Sequence, residues 1–575
     1  MKKNYNFLTY IIFFSLGLNL FAFKSSLLFH QQLTLVLLLV LLISWCAAHF
    51  QWSILEWLKN HRFLVIIFFS VIISLALFGR DLQAQWGVID DHEIMSFIGT
   101  RGYLPLTQIP NKLLQTEVGK PGQALRYRPT YYFLRLLETS LWGKNATLWY
   151  ATRLVILITS LSLAWLLLQK WLGFYVSGLF LTYLLSFSYW KDIFARLGPG
   201  ETYAVFGLTL FCWCFYQICT SLAGLQKNRL RWELLGLAVG SLICVGSKEN
   251  FLLLLLPFLF LFVFAWRKKK LTLTLASLAV VTTAFFILVG ASVIIATQRI
   301  GQDVYANLAT PISRIKVLAA GVKTSQSKEM MVAIGLVGVL LAYLYLGSPE
   351  TSKIIASTKK TLFWLMLLWT IYLSQYVFYN GVWPNANRYD FPGMLVLPFF
   401  GLIVLLLIEK ILKEVDVSLV IRKGLRAGVL LSFSFAIVTS GFAQIEAAVK
   451  QNVQETTAFT QRIKQITDRV RQHPAAYVVV ESSNAWDYEA TVSYERFLRA
   501  YQVTNPLVLR IHSYSPSSAS TALEKQIASI LVIKSSLGGN GYDPLSNLQN
   551  QPSGCYSLNI TKGINLKPTD CIPLP

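Results

Sequence analysis

Hydrophobic residues in this chain come in long runs, not in the short amphipathic patches of a water-soluble fold. The runs at 5–23, 33–50, 63–79, 148–168, 172–190, 203–222, 271–297, 329–347, 361–379, 392–411 and 426–445 approach or exceed the ~17–25 residues with which a helix crosses a bilayer. Two shorter runs, 234–247 and 251–266, flank the polar tetrad Ser247-Lys248-Glu249-Asn250 and predict a tight hairpin. Together they predict a polytopic α-helical membrane protein with about thirteen transmembrane helices.

The pattern changes after Gln444. Val449, Val453, Phe459, Ile463, Ile466 and Val470 recur at helical spacing as far as His473-Pro474. Tyr477-Val478-Val479-Val480 reads as a buried strand and 486–502 as a second helix. Further strands are expected at 506–511, 530–533 and 556–560, with 521–529 helical between two of them. This alternation predicts a small α/β layer. The chain thus divides into a multi-span domain, 1–445, and a soluble α/β domain, 446–575. The second shows no nucleophile motif, metal cluster or phosphate loop, which favours a structural or acceptor-binding cap over catalysis.

Composition sharpens the picture. Hydrophobic residues make up 54% of the 575 and charged residues 14%, against about a quarter charged in ordinary soluble domains. A net charge of +23 invites a nucleic-acid reading, but its placement argues otherwise. The basic clusters are Lys2-Lys3, Lys59 with Arg62, Lys227-Arg229-Arg231, Arg267 to Lys270, Lys359-Lys360 and Arg422-Lys423-Arg426. With a cytosolic N-terminus, all of them fall on the cytosolic side, as the positive-inside rule requires. That orientation puts loops 80–147, 191–202, 298–328 and 380–391, and the C-terminal domain, on the non-cytosolic face. Cys555 and Cys571 are there an even pair suited to a disulfide.

Candidate chemistry gathers on the same face. Asp90-Asp91-His92-Glu93 lies just beyond the third run, with three of the chain's 28 acidic residues in four positions. On a helix, Asp90 and Glu93 share one face and Asp91 points elsewhere. Adjacent carboxylates raise each other's pKa, which suits a general base or a metal ligand; a solvated helix start would carry the same residues. Complementary charge follows in Lys191, Asp192, Arg196 and Glu201 around a Gly-Pro-Gly turn, in Lys248-Glu249, and in Arg388-Tyr389-Asp390. Arg and Lys at a membrane edge grip phosphate, snorkel to headgroups or pair within the protein.

The adjacent acids in the first large outer loop resemble the Asp-Asp/Asp-Glu motif of the GT-C superfamily of membrane glycosyltransferases. Ala195-Arg196-Leu197-Gly198-Pro199-Gly200-Glu201, the Ser247-Lys248-Glu249-Asn250 hairpin and Arg388-Tyr389 before a proline extend the likeness over about 60–450. The resemblance implies inverting transfer of a sugar from a polyprenyl-phosphate donor to a glycan, lipid or protein acceptor on the non-cytosolic face. Asp90 or Asp91 would be the base, with Arg196, Lys248 and Arg388 on the donor phosphate. Glu93, Glu201 and Glu249 would be secondary acids, and His92 and Tyr389 would contact substrate. It leaves use of Mg²⁺ or Mn²⁺ open and names no other cofactor. A bacterial inner membrane is the favoured location, and no nucleic-acid partner is expected. A lipid-linked-sugar transporter or flippase would instead place ionisable groups near the midplane. A non-catalytic assembly or sensor protein would not require the acidic tetrad to lie beside the membrane.

Overall fold

The computed structural model describes residues 61–119, 127–222, 227–254, 311–346, 352–379, 387–414, 442–472, 477–482, 488–503, 507–511 and 555–559, with isolated positions at 257, 282, 381, 383, 384, 418, 421 and 428. The spans expected at 5–23, 33–50 and 271–297, most of those at 251–266 and 426–445, the helix at 521–529, the strand at 530–533, the basic residues Lys2-Lys3, Lys59, Arg267 to Lys270 and Arg422-Lys423-Arg426, and Cys571 lie outside these residues.

The described chain is mostly helical. Its helices begin with α1 (Arg62–Phe78), α2 (Asp91–Ile98), α3 (Ile109–Leu114), α4 (Pro129–Trp142) and α5 (Ala146–Leu172). Next come α6 (Phe174–Leu185), α7 (Trp190–Phe194), α8 (Glu201–Leu222) and α9 (Lys227–Ser247). Then follow α10 (Pro311–Val322), α11 (Ser325–Leu346), α12 (Ser352–Phe378), α13 (Val396–Glu414) and α14 (Phe442–Arg471). The C-terminal part adds β1 (Tyr477–Ser482), α15 (Tyr488–Ala500), β2 (Leu507–Ile511) and β3 (Cys555–Asn559). The three strands form a parallel sheet in the order β2-β1-β3, and α15 supplies the connection that a parallel β1-β2 pair needs.

Among the described residues, Arg62–Gln83, Ala146–Leu172, Glu201–Thr220, Ser325–Tyr345, Ile354–Phe378 and Gly393–Glu414 are long and apolar enough to cross a membrane. Their outward faces fit lipid. On α11, Val332, Leu336, Val339 and Tyr343 form a single stripe, each 62–73% exposed. A contiguous apolar surface of this kind is a liability in water and the normal state in a bilayer.

The run 172–190 gives a shorter element than its hydropathy predicts. Helix α6 ends at Leu185, and the chain folds back so that the Trp190 indole N–H donates to the Leu184 carbonyl at 2.7 Å. Ser186 and Ser188 interrupt the apolar run there, and Ser186 donates to the Tyr183 carbonyl, a local bond that competes with helix continuation.

Helices α8 and α9 approach closely where both carry glycine, at Gly207 and Gly240. A Cβ added at Gly240 would lie 2.7 Å from the Phe211 amide nitrogen and 2.8 Å from the Gly207 carbonyl oxygen. Such small-residue contacts drive helix association in lipid, where burial of apolar surface adds little. Gly240→Leu forces backbone apart and is expected to lower stability by about 1–3 kcal/mol, the usual range for overpacking. A thermal unfolding midpoint in detergent equal to wild type would show that the two helices can separate freely.

Candidate functional site

The acidic tetrad does not sit on one helical face. Asp90 precedes α2 with φ of +69° and ψ of −39°, a positive-φ conformation that side-chain-bearing residues rarely adopt and that costs of order 1–3 kcal/mol. Its carboxylate makes no capping hydrogen bond to the helix start. It is turned instead toward the loop after α12, where Oδ2 lies 3.3 Å from Arg388 Nη1. The Asp90 side chain is 28% exposed and that of Arg388 24%. Helical spacing could not foresee this, because a positive φ at the cap takes Asp90 off the helix.

Gly198 makes the arrangement sterically feasible. A Cβ there would fall 2.2 Å from Asp90 Cβ and 2.3 Å from Oδ2, so the Gly-Pro-Gly turn is packed directly against the acid. The turn is fixed from below: Tyr131 OH donates to the Gly198 carbonyl at 3.0 Å, and the Arg135 guanidinium donates to the Leu197 carbonyl and to Tyr131 OH.

Asp91 has the opposite environment. It is 3% exposed, and Oδ2 accepts the Gly87 amide at 2.7 Å. Burial pushes its carboxyl up to about 7, against the Gly87 hydrogen bond and the Arg135 charge, which favour the ionised form. His92 is buried as well, while Glu93 is half-buried and lies in electrostatic reach of Tyr131, Tyr132 and Arg135.

The cations expected to converge do so in part. Lys248 Nζ forms a buried ion pair with Glu201 Oε1 at 2.6 Å and lies 4.4 Å from the Tyr389 ring centre. Arg388 flanks the same ring at 5.5 Å, so the two cations share one aromatic neighbour. Arg196 is exposed on the turn before α8. Burial raises the Asp192 carboxyl, opposed by the charges of Arg196, Lys191 and Arg388. Glu249 belongs to a separate pair with Arg128, 3.9 Å away, and Arg128 also faces Glu117 at 3.6 Å and stacks over Tyr131 at 5.0 Å.

Several contributors were missed by sequence reasoning. Arg128 stands before the proline that starts α4, inside a loop whose fold the hydropathy pattern does not address. Arg153 lies within the apolar run of α5, where a lone charge signals a partner; it pairs with Glu138 at 2.9 Å and with Tyr203 OH at 3.0 Å. The Asn250 amide donates to Gln375 Oε1 at 2.8 Å, Tyr379 OH at 3.3 Å and the Phe391 carbonyl at 3.4 Å. It thereby ties the α9 hairpin to α12 and to the Arg388 turn. Among the described residues, no three His, Cys, Asp or Glu side chains gather as a metal site needs.

Asp90, Arg196, Glu201, Lys248, Arg388 and Tyr389 therefore occupy one end of the helix bundle. Lys410 meets Ser357, and Trp171 meets Tyr216, at the other. The apolar helices and this charged end define a helical, membrane-type protein with an acid–cation cluster. No family model, no curated protein and no solved structure matches the chain.

The contrast between the two aspartates has a pH consequence. An unfolded Asp titrates at about 4, so between there and about 7 the folded protein holds a proton at Asp91 that the unfolded chain has lost. Stability from this group therefore falls as pH rises through that window, by up to about 1.4 kcal/mol per pH unit. Thermal unfolding of wild type and Asp91→Asn in detergent should give a flatter pH dependence for the variant. Equal slopes would contradict a buried, protonated Asp91.

Proposed function

We propose that the chain is a membrane glycosyltransferase of the GT-C kind. It transfers a sugar from a polyprenyl-phosphate donor to a glycan, lipid or protein acceptor, with inversion, and Asp90 is its general base. The observation that carries this reading is the Asp90–Arg388 pair: a partly exposed carboxylate and a partly exposed guanidinium 3.3 Å apart at the end of the spans, with Arg196 and Lys248 nearby. Of the two acids, Asp90 is reachable by an acceptor, whereas Asp91 is enclosed and holds the Gly87 amide.

Those positions suit the following reaction. The acceptor hydroxyl gives its proton to Asp90 while its oxygen bonds to the anomeric carbon. The bond from that carbon to the phosphate oxygen breaks, and the departing electron pair is stabilised by Arg388 and Arg196. Without donor, Asp90 neutralises Arg388; with donor, the phosphate takes that role and leaves the carboxylate to the acceptor. Lys248, already neutralised by Glu201, acts mainly by holding Tyr389.

The reading includes an orientation. The N-terminus is cytosolic, about thirteen helices cross the membrane, and residues 446–575 form an α/β domain outside, in a bacterial inner membrane. The positive-inside placement of the basic clusters supports it.

Asp90→Asn keeps shape and removes the proton acceptor. General-base catalysis contributes about 10²–10⁴-fold, so turnover of lipid-linked sugar should fall by that factor with normal membrane insertion. Arg388→Gln should weaken donor binding instead. Wild-type turnover in Asp90→Asn membranes would remove the base assignment.

A further inference from the structure

We infer that the C-terminal segment is a positioning element for Asp90, acting through Thr456 and Ser493; this rests on the glycosyltransferase reading for its consequence but not for its geometry. The chain from Ala84 to Asp90, which delivers the acid at its positive φ, has no regular secondary structure of its own. It is held from outside instead. The Gln85 amide donates to Thr456 Oγ1 at 3.0 Å, and the Ser493 hydroxyl donates to the Val88 carbonyl. These two bonds tie the segment to two helices, α14 and α15, about 370 and 400 residues further along the chain, beside the bonds of Trp86 to the Lys144 carbonyl, Tyr150 OH to the Gln85 carbonyl and the Gly87 amide to Asp91.

The surrounding contacts make this a shared core. Ala84, Trp86, Ile94, Met95 and Ile98 of the acid-bearing loop form one hydrophobic cluster with C-terminal residues including Phe459, Ile463, Tyr494 and Phe497. Asn452 adds a hydrogen bond to Asp81 Oδ1 at 3.0 Å, and Lys144 reaches the Ala500 carbonyl at 2.7 Å. Gly87, whose amide holds Asp91, has Thr456 Cγ2 within 3.8 Å of where a Cβ would be. Both hydroxyls thus act on the backbone that sets Asp90, and neither touches the acid itself.

Thr456→Val and Ser493→Ala remove the hydroxyls with little change of shape, and Thr456→Ser and Ser493→Thr retain them. In full-length protein in nanodiscs, deuterium exchange at 84–98 should rise at least several-fold in the first two and stay at the wild-type level in the second two. Turnover of the endogenous polyprenyl-phosphate sugar pool should fall by up to about 10²-fold in the first two, the scale set by an ångström-sized misplacement. Its half-saturating concentration should change little, and the Thr and Ser variants should recover activity. Wild-type exchange at 84–98 in both Thr456→Val and Ser493→Ala overturns the inference. Faster exchange with turnover unchanged also overturns it, since Asp90 would then not depend on this support. Faster exchange in a protein whose wild type turns over no lipid-linked sugar upholds the positioning and removes the glycosyltransferase reading.

Discussion

Two charges buried side by side, Glu201 at the start of α8 and Lys248 just past the end of α9, hold the charged end of the helix bundle together. Neither would be stable there alone, because removing one partner of a buried pair leaves an uncompensated charge and costs about 3–5 kcal/mol. Their pairing fixes the ends of two helices that already meet through Gly207 and Gly240. It also places a cation under Tyr389 and so fixes the neighbouring Arg388. Among the described residues, Glu201 and Asp90 hold Lys248 and Arg388 in place, and on the proposed reading the donor phosphate would meet the exposed side of Arg388 and Arg196.

The acid depends on a different constraint. Asp90 has no capping bond and an unfavourable φ, so its position is imposed by its surroundings. Gly198 leaves the space, Tyr131 and Arg135 fix the Gly-Pro-Gly turn, and the C-terminal helices hold the preceding segment. Backbone strain maintained by several independent contacts is characteristic of functional sites. The same contacts explain the difference between neighbours. Asp91 faces inward and fastens the loop, while Asp90 faces the cations.

What the sequence made legible follows from how local the physics is. The spans at 63–79, 203–222, 361–379 and 392–411 could be read because crossing a bilayer needs only a long apolar run. The run 172–190 misled because the helix ends at Leu185, where the Ser186 hydroxyl turns back to the Tyr183 carbonyl, a bond that hydropathy does not register. The grouping of Asp90, Lys248 and Arg388 at one end was readable from alternation of spans. The partners were not: Asp90 meets Arg388 across 298 positions and Asp81 meets Asn452 across 371, and only packing brings them together. The shared core of the acid-bearing loop and the C-terminal helices was hidden for the same reason, since a shift in composition marks a boundary and says nothing about contact across it.

The central claim is that this acid–cation cluster works on a sugar carried by a polyprenyl phosphate. Lipid extracts from cells lacking the gene, compared with wild type by mass spectrometry, test it most directly. The account predicts accumulation of one polyprenyl-phosphate sugar, reversed by wild-type protein. An unchanged lipid-linked sugar pool in the deletion strain would contradict it.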